Sequence, residues 1–362
     1  MLKILHVAEY AKGGVATVIN ELLSSQNKTH DTFVLVNESH ADYINPSQQV
    51  FTYRGSRSIL GLMLFAAKLI YVYLKLKPDV VHLHSSFAGA IGRLVLVFFP
   101  PKIIYQSHGV SFDPQRVTGI KKKLLTFTER LLSCLSDATI AISHYEFNLL
   151  CNATNRNKVH LIENGVSDTL LQKQSNKRNG KLLFVGRLDY QKGFDLIVDY
   201  FDKYNTSFTL DVAGEQVLGD SKKRHSTPNI NYLGWLPPEE LEKKYADYTA
   251  VVMPSRWEGF GLVAIESLRA GTPVISSDRG ALPSIISDNF NGLIFSIENF
   301  EKDFQHCLAT LKAKPASFFE KNCRETYETK FNAEIMASKI ERLYISTLNS
   351  TKQPPPRTPH TH

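Results

Sequence analysis

The sequence predicts an α/β fold of two similar-sized domains, each a parallel sheet covered by helices. Three observations lead there. Short apolar runs alternate with longer helical patterns along almost all of the 362 residues, the rhythm of strand–helix–strand units. A polar stretch at 172–180, Gln-Lys-Gln-Ser-Asn-Lys-Arg-Asn-Gly, interrupts that rhythm near the middle and marks a domain boundary. The composition, 43% apolar and 21% charged, is that of an ordinary soluble chain, and the length suffices for two hydrophobic cores.

The first run, 3–8, reads as a buried strand; the segment is too short, and too polar at its end, for a signal peptide. Further strands are expected at 32–36, 80–84, 103–108, 138–143 and 159–162. A second set follows the polar stretch, at 182–186, 208–213, 230–233, 250–253, 273–276 and 293–295. Between them, 59–76 is apolar except for Lys68, Lys75 and interspersed tyrosines. A membrane crossing needs about 20 apolar residues, and a central Lys costs ~2.5–3.5 kcal/mol. The segment is therefore expected to pack on a sheet or lie against a membrane surface rather than to span. The last stretch, 349–362, is rich in Pro and Thr and reads as a disordered tail.

Charge and cysteine usage narrow the class. Net charge is +7, and 1–165 carries 17 Lys+Arg against 11 Asp+Glu, so most of the excess lies in the first half. Lys121, Lys122, Lys123 and Arg130 alternate with Leu124, Leu125, Phe127, Leu131 and Leu132. That mixture suits an anionic membrane surface, or a solvated helix face with an apolar underside. No zinc finger, helix-turn-helix or RNA-binding signature accompanies the charge, so nucleic acid is not the expected partner. Cys134, Cys151, Cys307 and Cys323 form no CxxC pair and read as buried free thiols of a reducing compartment.

Ligands gather beyond the carboxyl ends of parallel strands, which puts the loops after Ala8, His108, Gly186 and Met253 in a cleft between the domains. The most informative of them is Ser-Arg-Trp-Glu-Gly-Phe-Gly-Leu at 255–262, running on to Glu266. Gly259 and Gly261 permit a tight turn, and a helix starting near Leu262 aims its free amides and positive dipole end at a ligand. Glu258 and Glu266 can accept hydrogen bonds from hydroxyls. Arg187 and Lys192, five residues apart, can converge on one anionic group. Gly13 and Gly14 open the helix after the first strand, where bare amides meet a phosphate or sugar. His108 ends a strand facing the cleft and can hydrogen-bond a sugar hydroxyl or phosphate oxygen. His82 and His84 share one face of a strand; with no third histidine or carboxylate nearby, they read as core or cleft-wall residues and not as metal ligands.

In this order the motifs resemble the retaining glycosyltransferases of family GT4, whose GT-B fold sets two Rossmann-like domains face to face across a cleft. The resemblance runs over about the first 345 residues. It is carried by Gly13-Gly14, His108, Ile162-Glu-Asn-Gly-Val166, Gly186-Arg187 with Lys192-Gly193, Pro254-Ser255, and Glu258 to Glu266 with Ala270-Gly-Thr-Pro-Val. It implies an acceptor-binding domain at 1–168, a nucleotide-sugar domain at 179–347 whose last helix crosses back to the first domain, and a tail at 348–362. Glu258 then resembles the residue that binds donor-sugar hydroxyls, and Glu266 the one that holds the ribose. Arg187 and Lys192 neutralise the diphosphate, joined by the amides of Gly259, Phe260, Gly261 and Leu262 and by Gly13 and Gly14. His108 stands beside the reacting centre. Many relatives have His-Asp where this chain has His108-Gly109.

The resemblance further implies a hexosyltransferase that uses a nucleotide-sugar co-substrate, UDP-linked before GDP-mannose, and needs no other cofactor. The absence of a DxD pair in a suitable loop predicts activity without a metal. The acceptor implied is a glycan, lipid-linked, of a bacterial surface polysaccharide such as lipopolysaccharide, O-antigen or capsule. The location implied is cytoplasmic, at the inner face of the inner membrane. Two rivals stand beside it: a catalytically inactive GT-B protein that only binds sugar nucleotide, and a phosphorylase or epimerase on the same fold.

Overall fold

The computed structural model describes residues 1–45, 48–168, 180–215, 228–314 and 316–350. The polar stretch expected as a boundary lies outside the described residues apart from Gly180, and so does the tail from 351 onward.

Two wholly parallel sheets carry the chain. The first contains β1 (Lys3–Ala8), β2 (Asp31–Asn37), β3 (Gln49–Tyr53), β4 (Val80–His84), β5 (Lys102–Gln106), β6 (Ala138–Ala141) and β7 (Val159–Leu161), in the order β3-β2-β1-β4-β5-β6-β7. The second contains β8 (Lys181–Val185), β9 (Thr209–Ala213), β10 (Ile230–Gly234), β11 (Ala250–Met253), β12 (Val274–Ser277) and β13 (Gly292–Phe295), in the order β10-β9-β8-β11-β12-β13. In each sheet the order reverses beside the founding strand, between β1 and β4 and between β8 and β11. Those reversals open the crevices in which such folds bind ligands. β3 is the strand that sequence reading did not anticipate. It is an edge strand whose side chains are mostly half-buried, so it lacks the continuous apolar run of its neighbours.

The helices of the first domain are α1 (Gly14–Gln26), α2 (Ile59–Leu76), α3 (Ser86–Leu96), α4 (Gly119–Ser133) and α5 (His144–Ala153). α2 is long and apolar enough to cross a membrane by length and composition. Instead Phe65, Leu69, Val72 and Tyr73 bury one face against the first sheet. Its other face keeps Ile59 81% and Met63 64% exposed. α3 and α4 are bolted together by an interior ion pair: Arg93 donates to Glu129 at 2.7 and 3.0 Å and to the Gly89 carbonyl at 2.8 Å. Its guanidinium lies over the Tyr105 ring.

The second domain adds α6 (Phe194–Lys203), α7 (Pro238–Lys244), α8 (Leu262–Arg269), α9 (Leu282–Ile285), α10 (Phe300–Ala313) and α11 (Ala316–Thr326). A π-helical turn, Tyr327–Phe331, then delivers the chain to α12 (Ala333–Asn349). There the main chain bridges back to the first domain: the Val166 amide donates to the Phe331 carbonyl and the Ala333 amide to the Val166 carbonyl, both at 3.0 Å. α12 then packs on α1 and β5. Cys307 and Cys323 are buried, as expected of structural thiols, whereas Cys134 is exposed and Cys151 half-buried; none is in a disulfide.

Candidate active site

Loops after β1, β4 and β5 of the first sheet, and after β8 and β11 of the second, line one cavity of about 770 Å³. That volume suits a small-molecule ligand.

The wall from the second domain is built by locking two loops together. Gly193 has φ 66°, and a Cβ there would lie 1.9 Å from the Pro254 carbonyl oxygen, so the β8 loop lies flush on the β11 loop. Arg256 clamps the contact: it grips Asp195 through two 2.7 Å bonds, donates to the Tyr190 carbonyl and stacks on the Tyr190 ring. Lys192 Nζ thereby reaches Glu258 Oε2 at 2.6 Å, and Ser255 Oγ donates to the same oxygen at 3.2 Å. Arg187 is half-exposed, paired with Asp189 at 3.0 Å and donating to Gln191 at 2.6 Å. α8 begins at Leu262 behind Gly261; its Ala264 amide already donates to the Gly261 carbonyl at 2.9 Å, which leaves the Leu262 and Val263 amides at the open end of the helix. Tyr245 donates to Glu266 Oε2 at 2.6 Å and fixes that carboxylate, whose pKa burial raises. Phe260 turns its ring into the core against Phe331, so only its backbone faces the cavity.

The facing wall starts at Gly13 and Gly14, where α1 opens; Gly14 meets Leu262 across the cleft. β5 stops at Gln106 and not at the expected His108, because His108 has φ 53° and Gly109 φ 118°. That backbone lifts the imidazole out of the sheet and into the cleft. Burial pushes its pKa down to about 3, so the ring is neutral and acts as a hydrogen-bonding group rather than a cation. The turn also explains the departure from His-Asp. A side chain at 109 would be strained at this φ, although a Cβ there would meet no other atom within 4 Å.

The structure therefore brings to one cavity, on its two facing walls, every site residue expected from the sequence. Residues 12–170 match the family Glycosyltransferase Family 4, and residues 168–321 match Glycosyl transferases group 1. A 41.2 kDa uncharacterised protein of the cps region of Klebsiella pneumoniae is 33% identical over 95% of this chain and 100% of its own length. The chain belongs to glycosyltransferase family 4. The UDP-Gal:alpha-D-GlcNAc-diphosphoundecaprenol alpha-1,3-galactosyltransferase of Escherichia coli is 26% identical to this glycosyltransferase, over 95% of the chain and 97% of the relative. Among solved structures, sucrose-phosphate synthase from Thermosynechococcus elongatus superposes with a TM-score of 0.82 at 18% identity, covering 97% of this chain and 100% of that one. The fold is GT-B.

Several residues of this glycosyltransferase site escaped sequence reading. Glu146 lies under the His108 loop, accepting from Ser107 Oγ at 2.8 Å and the Ile142 amide at 3.2 Å, and burial raises its pKa to about 7. Its helix is capped by Ser143, whose hydroxyl accepts from the Glu146 amide and donates across the cleft to the Gly259 carbonyl at 3.0 Å. The Ser-His-Tyr-Glu pattern at 143–146 is a capping-box signature that could have flagged the pair. Asp113, five residues beyond His108, lines the cavity and accepts from Tyr145 at 2.6 Å. It supplies a carboxylate to the wall despite Gly109. The histidine expectation is corrected in one point: His82 and His84 are the buried residues expected, but they do have a third partner. Parallel pairing sets His6 of β1 opposite His82, and the three rings form a buried cluster. Nothing local to 80–84 could show this, because the partner comes from another strand.

Proposed function

We propose that this protein transfers a sugar from a UDP-sugar to a hydroxyl of a lipid-linked glycan, with retention of anomeric configuration, in the assembly of a bacterial surface polysaccharide. The observation that carries the proposal is the convergence of Arg187, Lys192, Glu258 and Glu266 on one cavity, opposite Gly13-Gly14 and His108. Cations, free helix amides and carboxylates in that arrangement match a diphosphate flanked by two hydroxyl-bearing rings. The donor named for the Escherichia coli relative favours UDP, and the cps-region relative favours polysaccharide assembly.

In the reaction the bond between the anomeric carbon and the diphosphate oxygen breaks, and its electron pair leaves with UDP. Arg187, Lys192 and the amides of 259–262 stabilise that charge, so no divalent metal is required. Glu258 is held by Lys192 and Ser255. As a diphosphate draws the Lys192 ammonium toward itself, the carboxylate is freed to accept sugar hydroxyls. Glu266, oriented by Tyr245, receives the ribose hydroxyls. The acceptor oxygen attacks from the face the diphosphate leaves, and its proton passes to the departing phosphate oxygen. No protein base takes part in this step. Neutral His108 hydrogen-bonds beside the carbon as it becomes oxocarbenium-like.

A thermal-shift screen with UDP-, GDP- and dTDP-sugars tests the donor: the largest rise is expected with a UDP-sugar, and a larger one with GDP-mannose would refute the choice. The anomeric configuration of the product, read by NMR, tests retention. Full activity in EDTA is expected, and its loss would overturn metal independence.

The same proposal places the enzyme on the cytoplasmic surface of the inner membrane. α2, α3 and α4 lie side by side; with the turn after α3 they expose Ile59, Met63, Phe98, Ile120, Leu124 and Phe127, and α2 and α4 also carry Lys68, Lys121, Lys122, Lys123 and Arg130. Apolar side chains ringed by lysines suit an anionic bilayer, where each basic group contributes about 1 kcal/mol. Vesicles containing acidic lipid should capture the protein. Reversing Lys121, Lys122 and Lys123 to Glu should weaken capture by roughly 100-fold or more and leave donor binding intact. Unchanged capture would remove α4 from the surface.

A further inference from the structure

Four histidines run beneath the cleft, and the proposed reaction uses one. His6, His82 and His84 are fully buried; the His82 and His84 rings stack with centroids 4.1 Å apart, and His6 lies 5.3 Å from each. The polar atoms are strung in series. His108 Nε2 is 2.9 Å from His84 Nδ1, His84 Nε2 is 3.0 Å from His6 Nδ1, and His6 Nε2 is 2.8 Å from Gln26 Oε1. Burial holds all four rings below their ordinary pKa, His6 at about 4. Each is therefore neutral, with one N–H and one lone pair.

Neutral rings in series leave the protons no independent choice. The Gln26 carbonyl oxygen can only accept, so His6 carries its proton on Nε2 and offers Nδ1. His84 must then donate from Nε2, and so must His108. An amide two rings away sets which nitrogen of His108 is protonated.

The bonded series ends at Gln26, whose Nε2 makes no hydrogen bond. Beside it the Tyr344 hydroxyl on α12 lies 2.6 Å from His82 Nδ1, and Gln106 donates to Asn164 Oδ1 at 3.2 Å. One direction of donation runs through the series, His108 to His84 to His6 to Gln26, and its His108 end lines the cleft. Reversing it would require the Gln26 amide to turn over and set its NH2 against His6.

We propose that His84, His6 and Gln26 are positioning residues that hold His108 as its Nε2–H tautomer and leave Nδ1 to accept a hydrogen bond from a sugar hydroxyl. This rests on the reading of His108 as a group that touches substrate. The ligand atoms of His6, His82 and His84 do lie within 4.8 Å of one another, a spacing that also suits a metal ion. A metal would need lone pairs from all three, whereas the 3.0 Å contact between His6 and His84 holds a proton.

The test is ¹⁵N NMR of the imidazole nitrogens in the full-length protein, alongside steady-state kinetics. Wild type should show His108 protonated on Nε2 and bare on Nδ1. Gln26→Met keeps the side-chain length and removes the amide. It should mix the two His108 tautomers and lower kcat about tenfold, the worth of one hydrogen bond, with the donor KM nearly unchanged. Gln26→Glu keeps an acceptor and should preserve the wild-type tautomer and most of kcat. If Gln26→Met fails to fold, the wild-type spectrum alone decides which His108 nitrogen carries the proton. A proton on Nδ1 in wild type, an unchanged His108 spectrum in Gln26→Met, or stoichiometric zinc in the purified protein would each overturn the proposal. The reading of His108 is tested separately. Undiminished turnover in His108→Ala would refute its contact with substrate while leaving the tautomer result to stand on the spectrum.

Discussion

The two domains share one strand topology and one kind of crevice, yet they bury opposite chemistry. The second keeps its chemistry at the rim: Glu258 with Lys192, Glu266 with Tyr245 and Arg256 with Asp195 all sit in or beside the loops at the strand ends. Its interior is sealed by aromatic side chains such as Phe295, Phe300 and Phe304 packed edge to face. The first domain carries polar groups into its centre, with three histidines, Gln26 and Gln106 beneath the sheet's carboxyl edge, and pushes apolar side chains outward on α2, α3 and α4. The difference teaches where each half can vary. On the proposed function, a rim of charges on an apolar core serves a diphosphate that is the same for every sugar nucleotide. On the same proposal, a first domain with a polar interior and an apolar outer surface is where the acceptor and the membrane contact can be particular to this protein.

The sharpest way to break the comparison is to strike each half and read different quantities. Glu258→Ala should lower turnover by about 10³-fold, or ~4 kcal/mol of transition-state stabilisation, with thermal stability nearly unchanged because the residue is at the rim. A stability loss matching the activity loss would make Glu258 structural. In the first domain the order reverses. Glu129→Ala leaves Arg93, with no exposed side-chain surface, as an unpaired interior cation. It should cost about 3 kcal/mol of stability, measured by denaturant unfolding, while donor binding to the second domain persists. A loss below 1 kcal/mol would show that water reaches Arg93.

Acid should separate the halves next. A buried histidine held below its ordinary pKa binds fewer protons folded than unfolded. Its contribution to stability is therefore complete above about pH 6.5 and is lost as pH falls toward the folded value. For His6, at about 4, this amounts to roughly 3 kcal/mol, and His82, His84 and His108 act in the same direction. Glu146, raised to about 7, has the opposite sign: its contribution is complete below about pH 4.5 and fades as pH rises through 7, so it offsets part of the histidine loss. The second domain has no buried histidine among its described residues. Hydrogen exchange at pH 5 should show β1 and β4 losing protection before β8 and β11. Equal loss in both sheets would clear the histidines.

How much of this was legible in the sequence follows the same division. Buried parallel strands are near-continuous apolar runs, so β1, β4 and β11 are read to the residue, and strand-end motifs lead directly to Glu258, Lys192 and Gly14. What local sequence cannot carry is pairing between distant segments. His6 meets His82 because β1 and β4 are neighbours in register. Glu146 meets the His108 loop because α5 returns across the sheet, and Tyr344 reaches His82 over 262 positions of chain. β3 was missed for a different reason: at a sheet edge, burial is partial and the apolar signal fades.

The smallest expected effect tests whether the His108-Gly109 pair belongs to the first domain's particular character or is a lost catalytic feature. Gly109→Asp would restore the His-Asp seen in many relatives. At φ 118° a non-glycine residue is strained by about 1–2 kcal/mol, although the new Cβ would meet no other atom within 4 Å. The variant should therefore lose that much stability. It should gain no activity, since Asp113 already brings a carboxylate to the same wall. Thermal unfolding measures the first and donor turnover the second. A variant that is both stable and faster would mean that the loop can leave its left-handed turn, and that the carboxylate missing at 109 had limited the reaction.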